Sequence, residues 1–246
     1  MPNAKADNQA PILWAENDTP LSSVYDDTYY SKEGVREETA HVFLAGNGLP
    51  ARWQAVPDFI IGELGFGTGL NFLETYHRFM ATAPKDHHLT FISFEAFPMD
   101  AASMIRALSP WPDLARLARP LLTVWPPSPG WHAIPFEKAT LHLAIGNANT
   151  MIAEMPRKAD TWYLDGFSPA KNPELWGEAL MAAVFKKTKD GGTFATYTAA
   201  GWVRRNLEAA GFTVERRKGF GRKRDMLAGM KNQHGDTAGS RAKETE

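Results

Sequence analysis

The chain has 246 residues, 43% of them hydrophobic, and 27 lysines and arginines against 28 acids leave a formal net charge of −1. That size fits one globular α/β domain with additions, and the balanced charge means that a nucleic-acid partner would need a local basic patch. With no cysteine, thiolate catalysis, disulfides and zinc–thiolate centres are excluded. No apolar run approaches the ~18 residues of a membrane span, and the polar start Met1–Asn8 offers no secretion signal. A cytoplasmic location without membrane contact is expected.

Residues 1–11 and 231–246 read as polar, disordered tails around a single domain at 12–230. Within it, 12–55 is an N-terminal addition, with a strand or hairpin at 12–24 and a helix that presents Val42, Phe43 and Leu44 and stops at Gly46-Asn47-Gly48. Such an addition often walls a ligand site, although residue by residue plain packing is the better account. Strand–helix units follow: strand 59–64 with helix 69–82, and strand 89–95 with helix 99–108. A proline- and tryptophan-rich passage, 109–136, breaks the rhythm. Strand 139–145 then leads to a short helix at 149–155. Strand 160–165 leads to a helix at 174–188 that stops at Gly191-Gly192, and strand 193–198 to a helix at 200–210. Strands 212–217 and 225–230 close the domain as a hairpin. Repeated strand–helix units predict a mostly parallel sheet with helices on both faces, and the closing pair predicts an antiparallel edge.

Ligands in such sheets bind beyond the carboxyl ends of the strands. The first strand runs into Glu63-Leu64-Gly65-Phe66-Gly67-Thr68-Gly69-Leu70-Asn71. Glycines there allow a sharp turn and close approach of a ligand to the backbone, and the helix N-terminus that follows offers free N–H groups. A dinucleotide fold would need its third glycine one residue later. Acid-x-Gly-x-Gly-x-Gly instead resembles the first motif of class I methyltransferases that use S-adenosylmethionine. That resemblance implies a Rossmann-like sheet in which Glu63, Gly65, Phe66, Gly67, Thr68, Gly69 and Asn71 surround the cofactor, Glu63 near its amino end. A glycine turn that merely joins strand to helix is the plainer alternative.

The next strands end in Glu95, Asn147 and Asp165. A carboxylate such as Glu95 can accept both ribose hydroxyls, and Asn147 stands near the expected adenine. Each alone reads equally as a solvated loop group, but recurrence at successive strand ends favours a site. Asp165-Gly166-Phe167-Ser168-Pro169-Ala170-Lys171-Asn172-Pro173 resembles the acid–proline–aromatic loop of amine methyltransferases. There Asp165 and the carbonyls after it could hold a neutral amine in line with the methyl, Phe167 could pack beside the cationic methyl, and Lys171 could meet the substrate. Alternatively Asp165 caps a helix and Phe167 is core. Arg216–Arg224 is strongly basic. Arg222, Lys223 and Arg224 suit a phosphate backbone, or guard a sheet edge. The histidines show no ligand spacing, so no metal is expected.

Taken together, residues 62–72 and 164–176, with Asp26–Tyr30, Glu37–Thr39, Phe43–Pro50 and Gly219–Arg224, resemble the methyltransferase domain of the MnmC-type tRNA enzymes. The resemblance covers about residues 12–230. It implies methyl transfer from S-adenosylmethionine to the primary amine of 5-aminomethyl-2-thiouridine at the tRNA wobble position, with Asp165 binding and orienting that amine. In that family a flavin-dependent oxidase domain follows, which removes a carboxymethyl group. None is read here, so no FAD is expected and a separately encoded oxidase would act upstream. Other readings are a transferase for a free small amine and a module that binds the cofactor without turnover.

Overall fold

The structure is a computed structural model that describes residues 12–16, 18–30, 34–125 and 128–233. Of the tails expected at 1–11 and 231–246, residues 1–11 and 234–246 lie outside the described residues. Strands β1 (Ile12–Trp14), β2 (Pro20–Ser22) and β3 (Asp27–Thr28) form a small antiparallel sheet. A helical run follows: α1 (Val35–Glu38), a π turn over Thr39–Leu44, and a 3-10 turn over Ala45–Asn47. Helix α2 (Ala51–Gln54) leads into β4 (Asp58–Leu64), α3 (Leu70–Thr82), β5 (His88–Glu95) and α4 (Ala101–Leu108).

The described residues of the proline-rich passage form two short helices and a strand. Prolines start α5 (Pro112–Leu117) and occupy the first turn of α6 (Arg119–Thr123), where a missing N–H costs nothing. Beyond them β6 (Gly130–Pro135) pairs antiparallel with β7 (Ala139–Ile145). Then come α7 (Ala148–Met151), β8 (Ala159–Leu164), α8 (Glu178–Lys186), β9 (Thr188–Thr196), α9 (Gly201–Ala210), β10 (Thr213–Lys218) and β11 (Asp225–Met230).

The main sheet has the order β10-β11-β9-β8-β4-β5-β7-β6. Its five central strands are parallel, and an antiparallel strand closes one edge while an antiparallel hairpin closes the other. Alternation along the strands divides the core between the faces. Phe59, Ile61, Phe91 and Leu141 pack on one side, and Ile60, Leu64, Phe94 and Leu164 on the other. The chain leaves β4 towards β5 and β7, then returns to place β8 on its other side, which makes β4/β8 the switch point where such sheets open a crevice.

Two expectations change. Gly191 and Gly192 do not end a helix. They lie inside β9, where the pairing with β8 shifts register and Gly191 takes φ 74°, the mark of a bulge. Nor does the tail begin at Lys231. That residue is buried, its N–H donates to the Gly192 carbonyl at 2.8 Å and its Nζ to the Thr188 carbonyl at 3.0 Å.

Candidate active site

Strands β4 and β8 pair with Leu64 opposite Leu164, so both chains leave the sheet at one level. Gly65 (φ 83°) then passes so close that an added Cβ would lie 2.9 Å from Gly166 Cα. This packing sets the glycine turn and Asp165 on the wall of one cavity of about 650 Å³. At Gly67 (φ 55°) a Cβ would lie 3.2 Å from the Tyr29 ring, inside the same cavity.

Of the residues expected at the cofactor, Gly65, Phe66, Gly67, Thr68, Asn71, Glu95 and Asn147 line the cavity. Phe66 also stacks on Trp125 at 5.8 Å and is mostly core. Asn147 caps α7, its Oδ1 accepting from the Asn149 N–H at 2.8 Å, and sits exposed on the rim. Gly69 precedes α3 and does not reach the cavity. Glu63 is also off the wall. It is fully buried beneath the turn, Ser93 Oγ donates to its Oε2 at 2.6 Å, and its Oε1 has no partner. Burial raises its pKa well above the usual carboxyl range, with the Asp165 and Glu95 charges adding to it and the Ser93 hydrogen bond and the nearby Asn71 amide opposing it. Buried beneath the turn and bonded to Ser93, Glu63 supports the turn from below and does not face the cavity.

Glu95 already braces the turn. Its Oε2 accepts from the Gly67 N–H and its Oε1 from the Phe97 N–H, each at 2.8 Å. Each oxygen keeps a further lone pair for a ribose hydroxyl. Burial pushes the group up, and these N–H donors oppose that shift.

Asp165 ends β8 as a held carboxylate. Asn71 Nδ2 donates to its Oδ2 at 2.7 Å, and Asn71 Oδ1 accepts from Thr39 Oγ1 at 2.8 Å. Burial pushes Asp165 up to about 6. Hydrogen bonds from Gly166 and Asn71 and the Lys223 charge oppose the shift, and the Glu38 charge adds to it. The two carbonyls after Asp165 are less available than expected. The Gly166 oxygen accepts from the Tyr197 hydroxyl at 2.8 Å and the Phe167 oxygen from Trp176 Nε1 at 3.0 Å.

The N-terminal addition supplies wall residues that were read as plain packing. Tyr25 stacks on Phe167 at 4.7 Å, Tyr29 meets the same ring edge-on at 5.1 Å, and Asp27 Oδ2 accepts from the Ser168 N–H at 2.9 Å. Thr39, Glu38 and Tyr197 also line the cavity. The signal that could have found them is the acidic–aromatic run Asp26–Tyr30 beside Glu37–Thr39. Lys171 does not reach the cavity; its ammonium bonds the Asp26 carbonyl. The basic triplet divides: Lys223 lines the cavity, while Arg222 and Arg224 are exposed outside it. Among the described residues, no cluster of three or more histidines or acids is arranged to hold a metal, and no helix is long and apolar enough to cross a membrane.

A family profile described as S-adenosyl-L-methionine-dependent methyltransferase matches residues 112–232. The chain is 42% identical over 232 residues to the tRNA 5-methylaminomethyl-2-thiouridine biosynthesis bifunctional protein MnmC of Magnetococcus marinus, covering 93% of this chain and 35% of that protein. It is 45% identical over 228 residues to the protein of the same name from Ectopseudomonas mendocina, covering 90% and 35%. It thus spans about a third of the length of these relatives. Among solved structures, MnmC2 from Aquifex aeolicus superposes with a TM-score of 0.71 over 91% of this chain and 71% of that one, at 24% identity, which bears on the fold alone. With its parallel core, its cavity at the β4/β8 switch point and these matches, the chain has the fold of the class I S-adenosyl-L-methionine-dependent methyltransferases, and over about nine tenths of its length it is similar to about a third of the length of the MnmC proteins.

Proposed function

We propose that this domain methylates the primary amine of 5-aminomethyl-2-thiouridine at the wobble position of tRNA, in the cytoplasm. The observation that carries the reading is Asp165, fixed by Asn71 on the same cavity wall as the glycine turn. S-adenosylmethionine, when bound, supplies a methyl group made electrophilic by its sulfonium. The residues present fit it: the cradle at Gly67 would be filled by any side chain, Glu95 retains acceptor capacity, and Tyr25, Tyr29 and Phe167 offer ring surface to a cation.

The chain's own residues would act on the acceptor. Ionised at neutral pH, Asp165 attracts an alkylammonium; once water has taken one of its protons, the carboxylate holds the remaining N–H groups of the free amine, whose lone pair is aimed at the methyl. A carboxylate is a weak base for such an amine, so orientation is its main contribution. The exposed Arg222 and Arg224 beside the cavity support an RNA acceptor over a free small amine. The amine itself would be released by an oxidative step in another catalytic unit.

The test is single-turnover transfer of labelled methyl to tRNA bearing 5-aminomethyl-2-thiouridine at saturating cofactor. Asp165→Ala should keep cofactor affinity and lose at least ~100-fold in rate, the scale of one positioned polar group. A near wild-type rate would place the acceptor elsewhere.

A further inference from the structure

The tip of the β10–β11 hairpin folds back onto the helical run at 35–47. Arg217 donates to the Gly46 carbonyl at 2.9 Å, and His41 Nε2 lies 2.8 Å from the Lys218 carbonyl oxygen. The Phe220 ring closes over Gly34, where a Cβ would lie 3.0 Å away. These contacts send Lys223 inward. Its Nζ donates to Glu38 Oε1 at 2.7 Å and stands 4.1 Å from the centroid of the Tyr197 ring. Tyr197 in turn bonds the Gly166 carbonyl, one residue after Asp165.

A lysine ends in a methylene carrying an ammonium, the same group that a primary alkylamine presents near neutral pH. An ammonium needs acceptors for three N–H bonds and gains from an aromatic face. Here one sits on both, within the electrostatic reach of Asp165. We propose that Glu38, Tyr197 and Asp165 form a subsite for a primary alkylammonium, and that Lys223 occupies it until the acceptor's ammonium takes its place. Lys223 is 44% exposed and Glu38 14%, so the ammonium can leave to water while the carboxylate stays on the cavity wall. The displaced ammonium is freed on the hairpin that carries Arg222 and Arg224. The subsite deepens the proposed function, since it rests on an amine acceptor, and adds two groups on that acceptor besides Asp165. It also sets selectivity: an uncharged group of similar size has no claim on the place that Lys223 holds.

The test uses n-butylammonium chloride as probe, with n-butanol as uncharged control, titrated by NMR into protein saturated with S-adenosylhomocysteine. Lys223→Met keeps the stem and removes the resident charge, and neither it nor Glu38→Gln removes buried apolar surface. Lys223→Met should bind n-butylammonium at least ~10-fold more tightly than wild type, a change of about 1.4 kcal/mol, with n-butanol unchanged. Adding Glu38→Gln should abolish the gain. Equal affinity in wild type and Lys223→Met, no binding in either, or a gain that survives Glu38→Gln would overturn the subsite. The titration uses neither tRNA nor turnover. A wild-type protein that methylates no tRNA bearing the amine, beside a Lys223→Met protein that gains n-butylammonium affinity as expected, would overturn the proposed function and leave the subsite standing.

Discussion

Asp165 is a charge kept where the fold disfavours it. Burial holds its pKa at about 6, against about 3.9 for an unfolded aspartate. Between roughly pH 4 and 6 the folded chain therefore binds the extra proton. Stability falls as pH rises through that window and levels off above it. Asp165→Asn keeps the shape without the charge, so it should raise the melting temperature at pH 7.5 and lose that advantage at pH 4. About two pH units set an upper size of about 3 kcal/mol. Melting curves at the two pH values check it, and an equal shift at both would show that the charge costs nothing. On the proposed role of Asp165 in holding the amine, transfer by the wild-type protein should rise as pH passes about 6. The position of this carboxylate was legible in the sequence, since a buried strand ending in an acid before a glycine has few other uses. The burial of Glu63 was not, because strand alternation says which face a side chain takes but not how far the turn beyond it extends.

At the level of elements, the segment around β3 is tied to the loop that follows β8. Asp27 accepts from the Ser168 N–H, Lys171 bonds the Asp26 carbonyl, and Tyr25 and Tyr29 enclose Phe167. Asp27→Ala removes one such tie, about 1 kcal/mol. It should weaken S-adenosylmethionine binding roughly 5-fold by the same conversion while lowering the melting temperature by no more than about 2–4 °C. Calorimetry with and without the substitution decides, and unchanged affinity would mean that the segment merely rests on the loop. Parallel strands were readable as near-continuous apolar runs, and the β10–β11 pair from the loop between two short alternating stretches. Strand β6 was hidden because only Ile134 among its residues is buried, so an edge strand between prolines carries little pattern. The π turn over Thr39–Leu44 was hidden too, because no residue type marks an i→i+5 bond. Yet it places Thr39 and Phe43 on the cavity.

Across the whole molecule a net charge of −1 conceals an uneven surface. Arg222 and Arg224 are exposed beside the cavity mouth, whereas Lys223 is engaged within it. Replacing Arg222 and Arg224 together with alanine should weaken tRNA binding and reduce the slope of log affinity against log salt by about 1.5, close to the ~0.7–0.9 per phosphate contact. Cofactor affinity should stay as it was. A filter-binding series from low to high salt reads the slope, and an unchanged slope would make the pair an edge guard.

The sheet order also bears on how the chain is made. Strand β11 lies between β9 and β10, so the strand synthesised last of the eight is an inner one. Until residues 225–230 leave the ribosome, β9 has an open edge and the hairpin that carries Lys223 has nothing to close against. The glycine turn, complete some 150 residues earlier, must wait for it. A nascent chain is therefore without a finished cavity until the fold is nearly whole. A ribosome stalled before β11 would display an unpaired strand edge, the kind of surface on which chaperones act.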